Sequence, residues 1–147
     1  MSSLEEYTTP VEASSIKKGA YIVINERPTK AVDISTSKTG KHGSMKMRIV
    51  GVDIFNGKKY ETVTPGSQTV LVPVIKRQEF QLSSISDDNY LSLLSDDGDL
   101  REDLTLPEGE LGLNIRKHYD KEDSVIVQTT SALGQEEVSS FKIDKSQ

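Results

Sequence analysis

One short segment of the chain combines lysines, hydroxyl side chains and glycines in a way that suits contact with a polyanion. It covers residues 35–46 and reads Ser-Thr-Ser-Lys-Thr-Gly-Lys-His-Gly-Ser-Met-Lys. Gly40 and Gly43 flank Lys41 and His42, so the backbone can turn sharply and present Lys41 at the tip of a hairpin loop. A lysine there points into solvent and would meet a phosphate backbone first. Composition by itself favours the simpler interpretation of a solvated basic loop.

Spacing excludes other chemistries that these residue types could support. A phosphate-binding loop needs glycine where Ser35 stands and Ser or Thr where His42 stands. The Ser-x-x-Lys and Lys-Thr-Gly motifs share Lys38, whereas in penicillin-binding enzymes they come from distant parts of a larger fold. The chain has no cysteine, and its two histidines, His42 and His118, fall in different predicted domains. A tetrahedral metal site therefore lacks ligands, and we predict no catalytic residue, no metal site and no enzymatic activity.

Charge is distributed unevenly along the chain. Residues 1–77 contain 12 Lys and Arg against 7 Asp and Glu, a balance of +5, and residues 78–147 contain 6 against 16, a balance of −10. No acidic residue lies between Asp33 and Asp53, the stretch that holds the basic loop. The acidic clusters of the second half lack the spacing of a calcium loop and are interpreted as solvated turns. The chain is thus predicted to join a basic module to an acidic one.

The elements expected to hold the basic loop are short strands. Residues 1–14 are polar and lack periodicity, which predicts a flexible arm. Beyond them, β-branched and alternating apolar residues bounded by turn residues indicate strands. These strands are expected over 21–24, 30–34, 45–55, 58–63 and 69–72. The sequence Asn56-Gly57 is expected to form a type I′ turn, and the hairpins together predict a small SH3-like barrel over residues 15–75.

The strand pattern restarts where the charge balance reverses, and a second domain is predicted over residues 76–147. Its expected strands are 80–85, 90–94, 100–106, 124–132 and 138–143. A short helix is predicted to open at 107–110, because Leu111, Ile115 and Tyr119 recur at helical spacing and basic residues follow towards its end. Five strands with one helix between the third and fourth is the element order of an OB-fold. The predicted fold class is therefore mainly all-β, with two small barrels and one short helix.

Composition also bears on the compartment. Hydrophobic residues make up 34% of the chain, which suits two small cores better than one large core. No apolar run is long enough to cross a membrane as a helix, and the acidic start Met-Ser-Ser-Leu-Glu-Glu does not resemble a signal peptide. Cysteine is absent, as is typical of proteins outside oxidising compartments. We expect a soluble, cytoplasmic protein with no membrane partner.

The basic loop also carries a resemblance to a known family. Residues 35–43, Ser-Thr-Ser-Lys-Thr-Gly-Lys-His-Gly, resemble the hypusine loop of the eukaryotic translation factor 5A family. The likeness covers nearly the whole chain from about residue 15 onward, including 50–61, 72–77, 90–94 and 101–109. This loop is specific, since the modification that it carries is confined to this family. The resemblance implies the same fold as the strand pattern, an N-terminal SH3-like barrel followed by an OB-fold.

The resemblance further implies a modification and a function. In that family, deoxyhypusine synthase transfers an aminobutyl group from spermidine to the lysine that matches Lys41, and deoxyhypusine hydroxylase adds a hydroxyl. The factor binds the ribosome between the exit and peptidyl-tRNA sites, and the lengthened side chain approaches the acceptor end of the peptidyl-tRNA. It promotes peptide-bond formation at stalled sequences such as consecutive prolines, and it helps termination. A second amine on a long arm can orient a flexible tRNA end, so the group acts by positioning. No cofactor is implied beyond the spermidine-derived group.

The resemblance assigns roles to the loop residues. Lys41 carries the modification, and the residues that present it are Ser37, Lys38, Thr39, Gly40, His42 and Gly43. Contacts with RNA or the ribosome are expected from Lys38, Lys41, His42, Lys46 and Arg48. The family's usual loop continues His-Gly-His-Ala-Lys, whereas this chain has Ser44 and Met45, and the missing imidazole bears on hydroxylation more than on aminobutyl transfer. The alternative function is a generic RNA-binding adaptor whose basic loop is unmodified.

Overall fold

A computed structural model of the chain describes residues 4–38 and 45–145. The chain divides into two units, Met1–Val74 and Ile75–Gln147, and the division lies one residue before the boundary expected from the sequence. Among the described residues, no helix is long and apolar enough to cross a membrane. The mainly β fold class with two small barrels is confirmed.

Over residues 4–38 and 45–74, the first unit contains six strands. It begins with one helical turn, α1 (Leu4–Tyr7), strand β1 (Thr8–Glu12) and a 3-10 turn (Ala13–Ser15). Four strands then pair in chain order as one antiparallel sheet: β2 (Tyr21–Ile24), β3 (Arg27–Lys38), β4 (Met45–Asp53) and β5 (Lys59–Pro65). The last strand, β6 (Thr69–Pro73), pairs antiparallel with β1. Its core consists of small and β-branched residues with one methionine, namely Ala13, Ile16, Ile22, Ile24, Ala31, Met47 and Ile49.

The N-terminal segment departs from the predicted flexible arm. Thr8 to Glu12 lie opposite Pro73 to Thr69 along β6, and Ala13 is fully buried. The Ala13 N–H donates to the Gln68 carbonyl oxygen at 2.8 Å. This strand has two threonines and a proline, and its central positions are exposed. Backbone pairing with β6 and the buried Ala13 hold this strand in place. Its own residues need no apolar alternation, and its sequence shows none.

Turn chemistry also differs from the prediction at one hairpin. Asn25 and Glu26, which join β2 to β3, both have positive φ, 52° and 65°, as a two-residue type I′ turn requires. In the hairpin that joins β4 to β5, Asn56 does not have a positive φ, and only Gly57 does, at 75°. The predicted type I′ turn at Asn56-Gly57 was therefore wrong. The reason is that Asp53 caps a longer loop, its Oδ1 accepting the backbone N–H of Phe55 at 2.8 Å and of Asn56 at 3.2 Å.

Over residues 75–145, the second unit has the predicted order of five strands and one helix. These elements are β7 (Lys76–Ile85), β8 (Leu91–Leu94), β9 (Leu100–Arg101), α2 (Glu110–Asp120), β10 (Val125–Ala132) and β11 (Gln135–Ile143). They form one sheet in the order β11-β10-β7-β8-β9. Ile115 on α2 is fully buried, with Leu111 and Tyr119 packed beside it, so the predicted helical face is the one that covers the core. The third strand is shorter than expected, because after Arg101 the pairing continues only as one bridge between Tyr90 and Thr105.

Candidate functional site

The basic segment lies at the end of the longest hairpin of the first unit. Strands β3 and β4 pair from Thr29 opposite Asp53 as far as Lys38 opposite Met45, with one bulge between Ala31 and Asp33. Residues 39–44 connect these two strands. The predicted residues Thr39, Gly40, Lys41, His42 and Gly43, together with Ser44, lie outside the described part of the chain. The structure does bring Ser37 and Lys38 opposite Lys46 and Met45, so the ladder reaches the last described residue on each side.

The two faces of this hairpin have different environments. Met47 and Ile49 on β4 are buried in the core of the first unit, at 3% and 0% exposure. Lys46 and Arg48, which precede Met47 and Ile49 respectively, are exposed, because alternate side chains of a strand point to opposite faces. The core therefore fixes the register that directs these cations outward.

Arg48 is exposed but is held in ion pairs. Its Nε donates to Glu61 Oε1 at 2.6 Å and its Nη2 donates to Oε2 at 3.1 Å, while Nη1 lies 3.7 Å from Asp33 Oδ2. The hydrogen bond and charge of Glu61 raise the pKa of Arg48 above its ordinary value. A guanidinium in a two-pronged pair with a carboxylate keeps a fixed direction. Its charge is locally balanced by two acids.

Lys38 and Lys46 differ from Arg48. Both side chains are exposed, and within residues 4–38 and 45–145 neither forms an ion pair. Among the residues predicted to contact RNA that the structure describes, these two lysines present an unbalanced positive charge beside residues 39–44.

A contact that the sequence did not reveal supports the hairpin at its loop end. The Met45 carbonyl oxygen accepts the Gly66 N–H at 2.9 Å, and the Gly66 carbonyl oxygen accepts the Ser14 N–H at 2.9 Å. A Cβ at residue 66 would lie 2.5 Å from Met45 Cε, so the methionine side chain occupies the space that this glycine leaves. The only available signal was the turn sequence Pro-Gly-Ser, which does not identify its partner.

A second anchor holds the other end of the hairpin. Arg27 at the start of β3 donates from Nε to Asp53 Oδ2 at 2.6 Å and from Nη2 to Oδ1 at 3.2 Å. Burial alone would raise the pKa of Asp53, but hydrogen bonds from Arg27, Phe55 and Asn56 outweigh it and the pKa is lowered. The carboxylate therefore stays ionised in a buried position and ties β3 to β4.

These features define a two-domain β protein in which the first unit holds a basic segment at the end of an anchored hairpin and the second unit is an OB-fold. Comparison with family models identifies both parts. The model described as translation initiation factor 5A-like, N-terminal, matches residues 6–68. The model described as eukaryotic elongation factor 5A hypusine, DNA-binding OB fold, matches residues 74–142.

Curated relatives and solved structures agree with these matches. The chain is 49% identical to eukaryotic translation initiation factor 5A-1 of Schizosaccharomyces pombe over 129 residues, covering 88% of this chain and 82% of the relative. It is 47% identical to the Saccharomyces cerevisiae protein of the same name over 135 residues, covering 92% and 85%. A translation initiation factor eIF-5A family protein from Naegleria fowleri superposes with a TM-score of 0.86 at 41% identity, covering 92% of this chain and 99% of that one. The chain belongs to the translation factor 5A family, whose members are translation factors and not enzymes.

Proposed function

We propose that this chain acts on the ribosome through a hypusine formed on Lys41. The observation that carries the proposal is the β3–β4 ladder, which continues without a break from Asp33 opposite Val50 to Lys38 opposite Met45. Lys41 is the central lysine of the segment that joins these strands. Family membership supports the modification, since the matching model of the second unit names hypusine.

In the proposed mechanism, the modified side chain positions the acceptor end of the peptidyl-tRNA. Aminobutyl transfer from spermidine by deoxyhypusine synthase lengthens Lys41 and adds a second amine, and deoxyhypusine hydroxylase then adds a hydroxyl. The long cationic arm contacts phosphates and restricts the motion of the flexible tRNA end. Peptide-bond formation at stalled sequences such as consecutive prolines, and termination, would accelerate because the reacting groups spend more time aligned.

The neighbouring cations have distinct parts in this proposal. Lys38 and Lys46 supply unpaired charge to ribosomal RNA on the flanks of the loop, and His42 contacts RNA next to the modified residue. Arg48 contributes differently from the sequence-based expectation. Because it is paired with Glu61 and Asp33, it stiffens the outer face of the hairpin and adds little net attraction for phosphate.

The proposal is tested by measuring the mass of the protein purified from its native host. Intact mass and the tryptic peptides around Lys41 should show an added aminobutyl or hydroxy-aminobutyl group. The proportion of the two forms measures how far hydroxylation proceeds with Ser44 and Met45 in the loop. Unmodified Lys41 throughout the native protein would contradict the proposal and would instead favour a generic RNA-binding adaptor.

A further inference from the structure

The second unit exposes apolar side chains on one face of its sheet. Tyr90, Leu94 and Leu100 are 44%, 37% and 55% exposed. Leu94 and Leu100 lie directly opposite each other in the β8–β9 ladder. Tyr90 directly precedes β8, in a bridge with Thr105, and alternation of the extended backbone places it on the same side as Leu94. These three residues are called the β8–β9 face below.

The β8–β9 face points away from the core. Leu93, the neighbour of Leu94 on β8, is fully buried on the opposite side of the strand. The row that contains Leu94 continues to Gln81 on β7 and then to the half-buried Ile126 on β10. The apolar patch of Leu94 and Leu100 therefore lies on the outer side of the sheet, and the exposed Gln81 separates it from Ile126. In OB-folds, the face of the second and third strands binds oligonucleotides and oligosaccharides, so this face can accommodate an extended chain.

The residues around this face carry an excess of negative charge, which favours a positively charged ligand. Residues 86–103 contain seven Asp and Glu and one Arg, a balance of −6. Within that stretch Arg101 is paired, since its Nη2 lies 2.7 Å from Asp103 Oδ2 and 2.9 Å from Glu136 Oε1. From α2, Arg116 donates to Asn89 Oδ1 at 2.7 Å and adds one positive charge beside residues 86–89, so the excess acid is greater at residues 95–99. On the face itself, Glu102 Oε2 accepts the Ser92 hydroxyl at 2.9 Å. Single-stranded nucleic acid needs a basic groove with stacking aromatics, and this surface repels it.

We propose that the β8–β9 face binds an extended polypeptide segment in which basic and apolar residues alternate. Apolar side chains of the segment pack on Leu94 and Leu100. Its Lys or Arg side chains reach the acidic loops at the two ends of β8, residues 86–89 and 95–99, which the four-residue strand separates by roughly 13 Å. Charge complementarity selects this partner over a nucleic acid, and the exposed leucines select it over a purely basic tail.

The experiment titrates the full chain with synthetic peptides of about nine residues, enough to span the face in an extended form. The probe alternates Lys and Leu, and two matched peptides replace Leu by Ser or Lys by Glu. Amide NMR shifts locate binding, and fluorescence anisotropy gives the affinity. The Lys–Leu peptide should shift residues 91–94 and 100–101, the Lys–Ser peptide should bind about tenfold more weakly, and the Glu–Leu peptide should not bind.

Variants of the chain separate this site from non-specific attraction. Leu100→Ser should weaken Lys–Leu binding about tenfold. Leu113→Ser is the matched control, because Leu113 is 71% exposed but lies on α2, and it should change nothing. The double change Asp96→Asn and Asp97→Asn should weaken binding at low salt only.

Three outcomes would overturn the proposal. The first is an equal loss of affinity in the Leu100→Ser and Leu113→Ser chains. The second is a single-stranded RNA that shifts the same amides as the Lys–Leu peptide. The third is a concentration-dependent shift of these amides without peptide, which would assign the face to a second copy of this chain.

Discussion

Among the basic residues of the hairpin, Lys41 is assigned a covalent role and Lys38 an electrostatic one. Arginine keeps the charge of lysine but offers no primary amine for aminobutyl transfer. We therefore expect Lys41→Arg to abolish support of growth and poly-proline synthesis when it is the sole source of the factor. Lys38→Arg, the matched control, should support both. Denaturant unfolding should place both variants within about 0.5 kcal/mol of the unmodified parent, as for most surface changes.

The ion pair at the other end of the hairpin makes a prediction about pH. The folded pKa of Asp53 lies below its ordinary value of 3.8, although burial opposes this, because Arg27 and two backbone N–H groups bind the carboxylate. A lowered folded pKa stabilises the fold above the unfolded pKa, and this stabilisation is lost as the pH falls through the folded pKa. Asp53→Asn should cost about 1.5 to 3 kcal/mol at neutral pH and should lose less stability than the parent below about pH 4.

The Asp53 measurement has a surface control. Glu61→Gln removes the acid of an exposed pair, which is worth at most about 1 kcal/mol. The unfolding free energies of the parent, Asp53→Asn and Glu61→Gln, measured from neutral to acidic pH, then give the contribution of the buried carboxylate to the pH dependence. Parallel acid profiles for the parent and Asp53→Asn would show that Asp53 does not contribute to the pH dependence.

Single residues show what the sequence can and cannot predict about the site. Alternation along β4 correctly predicts that Met47 points inward and Lys46 outward. It does not predict that Arg48 is held in ion pairs that balance its charge, since no acidic residue lies between Asp33 and Asp53. Pairing with β5 brings Glu61 across the ladder, 13 positions away in the chain. Local charge counts fail here because a sheet juxtaposes residues that are distant in sequence.

At the level of strands, one glycine controls how closely β3 and β4 approach. A Cβ at Gly51 would fall on the Thr29 hydroxyl oxygen and 2.7 Å from Thr29 Cβ. Thr29 cannot yield easily, because it is fully buried and its hydroxyl donates to the Ile22 carbonyl oxygen at 2.7 Å. Gly51→Ala should therefore destabilise the fold by about 1 to 3 kcal/mol, as overpacking does. Val63→Ala, at a 60% exposed site on β5, should change the unfolding free energy by less than about 0.5 kcal/mol.

Strand and helix positions were largely predictable, and the exceptions share a cause. The apolar face of α2 follows from periodicity, which burial of one face imposes, and β2 follows from a run of four residues that favour strands. β1 was missed because its stability comes from pairing with β6 and from Ala13, neither of which leaves an apolar pattern. The turn after Asp53 was misassigned for a related reason. A side chain outside the two turn residues caps the backbone, and dipeptide preferences do not include such a contact.

At the level of the whole chain, the structure moves the boundary between the basic and the acidic part to Val74. Lys76 and Arg77 belong to β7, so the unit that ends at Val74 has 10 Lys and Arg against 7 Asp and Glu, a balance of +3. The second unit has 8 against 16, a balance of −8, and the two sum to −5. In the first unit, Lys38 and Lys46 form no ion pair with any described residue, whereas residues 86–103 around the β8–β9 face carry seven of the 16 acids of the second unit. RNA attraction and peptide attraction are thus assigned to different units.

This division predicts how affinity for RNA depends on salt. The acidic unit should weaken non-specific binding of RNA by the basic unit, so that stable binding needs a fitting shape as well as charge. An isolated fragment of residues 1–74, which leaves out Lys76 and Arg77 of β7, should then bind generic RNA more tightly than the full chain at low salt. The difference should shrink above about 0.15 M salt, where the Debye length is about 8 Å. Overlay of the fragment's amide NMR spectrum on that of the full chain controls for folding, and equal low-salt affinities of the folded fragment and the full chain would show that the acidic unit does not oppose binding.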